Sequence, residues 1–102
     1  MAKWVKAASV GEITPGKTKL VEVEGLQVAL FNVGGTFHAI DNTCTHAGGS
    51  LAEGMLEGEQ VECPWHGAHF NVKTGKVLSG PAAADVAAYK VRATGSDVEI
   101  EV

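Results

Sequence analysis

Only two cysteines occur in the 102 residues, and each has a histidine close behind it. One pair lies in "CTHAGG", as Cys44 and His46, and the other in "CPWHG", as Cys63 and His66. Sixteen residues separate His46 from Cys63. If a single centre uses all four side chains, two distant loops must meet, and that restricts the fold more than any other feature. Two cysteines can form one disulfide, but in a cytosolic chain cysteines with nearby histidines read more naturally as metal ligands. Two thiolates and two imidazoles suit one tetrahedral zinc. Usual zinc spacings, however, place two cysteines on one knuckle and two histidines on another. Here each loop supplies one of each type. That is awkward for a knuckle and natural for a two-iron centre, where the sulfurs serve one iron and the imidazoles the other.

The length supports one domain, 1–102, with a modest core. No run of about 18 apolar residues is present, and "MAKWVKAASV" lacks the apolar stretch of a signal peptide. A cytoplasmic protein with no membrane contact is expected. The net charge is −4, and the eight basic residues are scattered. No basic face for nucleic acid is visible. An acidic surface is ordinary for a soluble protein and also suits docking onto a basic patch.

The rest of the chain reads as short alternating segments, which predicts an all-β fold. Lys19–Gly25 and Leu26–Val33 form a hairpin turning at Glu24–Gly25, with Val21 and Val23 on one face and Leu20 and Glu22 on the other. A Gly34–Gly35 turn leads into a strand through Thr36–Ile40. A turn near Gly58 precedes a strand Gln60–Cys63. "HFNVKTGKVL" forms a hairpin turning at Lys73–Gly75. "AAYKVRATGSDVEIEV" forms a final hairpin turning at Thr94–Asp97. Ser9–Glu12 has capping-box spacing and allows one helical turn at most. "SLAEGMLEG", interrupted by Gly54 and Gly58, reads as a turn-rich loop. Glycines concentrate between Gly34 and Gly80, where the backbone must turn or approach something closely.

"CTHAGGSL", "VECPWHGAHFNVKTGKV" and "SGPA" together resemble the Rieske family, specifically the small Rieske-type ferredoxins of bacterial multicomponent oxygenases that degrade aromatic hydrocarbons. The resemblance is close over the middle of the chain. It implies an antiparallel β-sheet base with an inserted cluster-binding subdomain, near residues 42–80, and one [2Fe–2S] cluster. Cys44 and Cys63 would hold the inner iron, and His46 and His66 the outer one. Gly48, Gly49 and Gly67 would let backbone N–H groups approach the sulfurs. Pro81 would belong to the loop that covers the third side of the cluster. Trp65 would pack over the ligand loops. His69 is left outside the ligand set because Phe70 reads as the inward residue. His38 takes a structural or surface role, and Asp41 and Asn42 make turn hydrogen bonds.

Departures from the family's respiratory members narrow the expectation. Those members carry an extra cysteine in each ligand loop, joined as a disulfide, where this chain has Gly49 and Trp65. They also place serine and tyrosine hydroxyls, which donate to sulfurs, where this chain has Ala68 and Phe70. Without those donors the extra negative charge of the reduced state is less stabilised. The potential is then expected in the lower part of the Rieske range, roughly −150 to +300 mV. The chain has no room for the mononuclear iron domain of an oxygenase catalytic subunit, so oxygen chemistry is expected elsewhere.

The expected role is therefore a monomeric one-electron carrier, not an enzyme. It would accept electrons from a flavin-dependent ferredoxin reductase and pass them to a terminal Rieske oxygenase. Two alternatives stand beside it: a small Rieske-like subunit of a nitrite-reductase-type complex, and a zinc-stabilised binding module.

Overall fold

The computed structural model describes residues 3–43, 50–64, 67–79 and 85–102. Within them the fold is all-β, with antiparallel pairing throughout and two single 3₁₀ turns, Val10–Glu12 and Leu51–Glu53. The strands are β1 Trp4–Ser9, β2 Thr18–Val23, β3 Leu26–Val33, β4 Thr36–Asp41, β5 Met55–Glu57, β6 Gln60–Glu62, β7 His69–Asn71, β8 Val77–Ser79, β9 Ala88–Tyr89, β10 Val91–Thr94 and β11 Asp97–Glu101. They form three sheets, ordered β1-β11-β10, β2-β3-β4-β9 and β5-β6-β7-β8.

Strand β3 explains how the sheets stack. Its run Val28-Ala29-Leu30-Phe31 has no exposed residue, the mark of a strand covered on both faces. Because side chains alternate, Val28 and Leu30 enter a core with Val21, Val23, Ala39, Val98 and Ile100. Ala29 and Phe31 enter a second core with Ile40, Leu51, Val61, Cys63, Phe70 and Val72. The sheet β2-β3-β4-β9 is thus a shared wall. One side faces β1, β10 and β11, and the other faces the β5–β8 sheet that carries the second Cys/His loop.

Most expected turns are present. Glu24 and Gly25, at φ 51° and 80°, join β2 to β3 with Val23 opposite Leu26. Two successive left-handed residues give a turn whose twist matches the strands. Gly34 and Gly35 do the same between β3 and β4. Val21 and Val23 are buried while Leu20 is 47 % exposed, as the alternation requires.

Four segments differ from the sequence reading. Trp4–Ser9 is a strand paired to β11, with a register shift between Lys6 and Ala8. The resulting bulge breaks the strict alternation that marks a strand. The stretch read as a loop around Gly54 holds both the Leu51–Glu53 turn and β5. Here Gly54 is extended, at φ −78° and ψ 177°, and serves close approach, because a Cβ there would lie 2.1 Å from the Glu62 carbonyl oxygen. Finally, Ala88–Tyr89 leave the C-terminal hairpin to pair with Ala39–Ile40 of β4, so only β10 and β11 form that hairpin. The strand expected over Gln60–Cys63 stops at Glu62.

Candidate metal centre

Cys63 follows β6 directly, and its side chain is buried. Its N–H donates to the Ala68 carbonyl at 2.7 Å, closing the second loop at its base. Gly67 meets that closure with φ +74°, a backbone region costly for other residues. Ala68 and Phe70, the positions without hydroxyls, are both fully buried beside Cys63. His69 alternates outward on β7. Its imidazole and the carboxylates of Glu57 and Glu62 place donor atoms within 4.8 Å of one another.

The first loop is closed at Thr43 and Ser50, which form an antiparallel bridge. Asn42, before the loop, accepts at its carbonyl from the Leu51 N–H, 2.7 Å away. Its Oδ1 accepts from Ser50 Oγ at 3.1 Å and from the Ala52 N–H at 2.9 Å. Thr18 Oγ1 on β2 donates to the Ala52 carbonyl, fastening the loop's far end to the central sheet. Asp41 accepts a 2.6 Å hydrogen bond from the Tyr89 hydroxyl. Burial, with Asp41 adding to it, pushes the Tyr89 phenol up to about 12. Asp41 and Asn42 therefore bind distant elements together rather than shaping a local turn.

A third connection, after β8, is tied back to the same sheet at its far end. Asp85 Oδ1 accepts from the Val77 N–H at 2.9 Å, and the Val86 N–H donates to the Gly75 carbonyl. Leu51, Cys63, Ala68 and Val86, one or more from the flank of each of these three segments, share one apolar core. The three loop bases are thereby gathered at one place, although they are far apart in sequence.

Cys44, His46, His66, Gly48, Gly49, Trp65 and Pro81 lie outside the described residues. The described part fits a sulfur-ligated iron group. It offers a buried cysteine, loop bases held together, and a cavity of about 300 Å³ beside Cys63, lined by Glu53, Gly54, Met55, Glu62, Pro64 and Gly67. The surroundings are acidic through Glu53, Glu57, Glu59 and Glu62. Among the described residues the Lys and Arg ion pairs, Lys3–Glu24, Lys6–Asp97, Lys19–Glu12 and Arg92–Glu99, all lie away from this segment. The contributions of Asn42, Leu51 and Asp85 were missed from sequence. Asn42 and Asp85 flank loops as ordinary turn formers do, and nothing local shows which distant groups they bind.

Fold and loop bases together define the class: the Rieske [2Fe-2S] domain family matches residues 3–90, and the chain belongs to it. Its relatives narrow this further. It is 39 % identical over 100 residues to the ferredoxin component of the naphthalene 1,2-dioxygenase system of Pseudomonas aeruginosa, covering 98 % of this chain and 96 % of that one. It is 42 % identical over 99 residues to the biphenyl dioxygenase ferredoxin subunit of Pseudomonas sp. (strain KKS102), covering 96 % and 91 %. Among solved structures it superposes, with a TM-score of 0.89 and 36 % identity, on a chain from the complex of reduced oxygenase and oxidized ferredoxin in carbazole 1,9a-dioxygenase. That match covers 95 % of this chain and 91 % of the other. The relatives are ferredoxin components, the electron-transfer subunits of those systems. No helix among the described residues is long and apolar enough to cross a membrane.

Proposed function

We propose that this chain is a soluble, cytoplasmic, monomeric one-electron carrier whose [2Fe–2S] cluster is held by Cys44, His46, Cys63 and His66. It takes electrons from a flavin-dependent reductase and delivers them to a terminal Rieske oxygenase acting on aromatic compounds. The observation that carries the reading is the shared core of Leu51, Cys63, Ala68 and Val86, which draws the bases of both Cys/His loops together. The residues between about 42 and 80 act as the cluster-binding subdomain.

When bound, the cluster supplies a one-electron couple in which the net charge of metal, sulfide and thiolate goes from zero to −1. The chain's own residues do the remainder. The buried Cys63 excludes water from the thiolate side. Apolar Ala68 and Phe70 provide no hydroxyl to stabilise the added charge, which keeps the potential low. The acidic segment Glu53–Glu62 favours approach of a basic partner surface, an attraction that salt weakens.

The test is the purified, iron-replete protein. Equal iron and acid-labile sulfide, a Rieske-type EPR signal after dithionite reduction, and NADH-driven turnover with a reductase and an aromatic-ring oxygenase are expected. Alanine at Cys44, His46, Cys63 or His66 should each abolish the signal, whereas His69→Ala should keep it. Zinc without sulfide in the anaerobically purified protein would overturn the reading.

A further inference from the structure

Asn32 and Asn42 are the buried polar residues among those described, each 4 % exposed, and they do different work. Asn32 belongs to the base: its Nδ2 donates to the Ile13 carbonyl at 2.7 Å, and its Oδ1 accepts from the Gly35 N–H at 2.8 Å. Asn42 stands at the foot of the first Cys/His loop. Its N–H donates to the Gln27 carbonyl of β3 at 3.0 Å, and its carbonyl accepts from Leu51. Its side-chain oxygen accepts from Ser50 and Ala52. One residue before the loop is thus joined to three consecutive residues after it, and to the central sheet behind.

We infer that Asn42 is a positioning residue that holds the first loop's base closed so that Cys44 and His46 keep their ligating geometry; the inference rests on the ligand set proposed above. A hydrogen-bonded amide in a buried site is costly to remove, since its donors lose their partner where water replaces it poorly. Metal ligands depend on such outlying contacts for their orientation. Among the described residues the Thr43–Ser50 bridge is a single pair, so beyond the Leu51 N–H to Asn42 carbonyl bond and the Thr18–Ala52 tie the closed base relies on the Asn42 side chain. Leu51 adds the link to the second loop, because it packs in the core that holds Cys63. Loosening Asn42 therefore loosens one ligand pair relative to the other.

The experiment uses the holoprotein and compares Asn42→Ala, Asn42→Asp and Asn32→Ala. Cluster loss is followed as decay of visible absorbance in excess EDTA, beside urea unfolding and EPR of the dithionite-reduced protein. Asn42→Ala should lose its cluster about tenfold faster than the unsubstituted chain and show broadened g-features. Asn42→Asp keeps an acceptor oxygen and should return the loss rate to within about twofold. Asn32→Ala should lower global stability while leaving loss rate and EPR unchanged. Should Asn42→Ala not fold, Ser50→Ala removes one donor and should still speed loss about threefold. Retention by Asn42→Ala equal to the unsubstituted chain would overturn the inference. So would equal loss from Asn32→Ala at matched stability, or no recovery in Asn42→Asp. Absence of iron and sulfide from the unsubstituted chain would instead overturn the ligand set itself.

Discussion

Tyr89 on β9 and Asp41 at the end of β4 share a 2.6 Å hydrogen bond, phenol to carboxylate, across the edge of the central sheet. Forty-eight residues apart in sequence, they hold β9 to the strand that leads into the first Cys/His loop. Tyr89→Phe should lower stability by about 1 kcal/mol in urea titrations. The raised phenol pKa gives a second check. Below pH 10 the phenol is neutral whether the chain is folded or not, so its contribution is complete. Between pH 10 and about 12 the unfolded chain releases the proton while the folded one holds it, and stability falls. Absorbance titration of Tyr89 should show a midpoint near 12 and no step at 10.

His38 behaves in the opposite sense at the acid end. Burial lowers its pKa, and the Lys73 ammonium adds to this while Glu59 opposes it. The folded protein therefore favours the neutral ring, and the unfolded chain binds a proton first as pH falls. Stability is complete above the ordinary histidine pKa of about 6.5 and declines as pH drops through the folded value. His38→Gln should flatten that acid limb. An NMR titration placing His38 above 6.5 would contradict the assignment.

Gly54 and Gly58 look equivalent in sequence but should not tolerate alanine equally. At Gly58 the surroundings are open, and the cost is the left-handed φ of +61°, about 1 kcal/mol. At Gly54 the new Cβ would meet the Glu62 carbonyl oxygen at 2.1 Å. The β6 end beside Cys63 must then move, at about 2–3 kcal/mol. Thermal melts should rank Gly54→Ala below Gly58→Ala, and cluster retention should fall only in the former.

Ala68→Ser and Phe70→Tyr restore hydroxyls beside Cys63 in a core that otherwise has none at those positions. A donor that favours the reduced state by about 1–2 kcal/mol raises a one-electron potential by about 40–90 mV. Each variant should shift upward in voltammetry. No rise in either would remove the hydroxyl explanation of the low potential proposed for this chain.

The turns at Glu24–Gly25 and Gly34–Gly35 and the alternation of Val21 and Val23 were all legible along the chain. Each depends on neighbours within a few residues: a left-handed turn needs glycine or its like, and an alternating strand shows its own face. The cofactor class was legible for the same reason, since donor type and spacing are local. Folding in three dimensions decided the rest. Whether Ala29 and Phe31 face solvent or a second core depends on a sheet formed by residues 55–79. The bulge in β1 depends on β11, at the other end of the chain. Asn42 looks like any turn asparagine until Ser50 and Ala52 come back to its side-chain oxygen. Hydrogen-bond partners and second faces are chosen by packing between distant segments, and no local pattern encodes that choice.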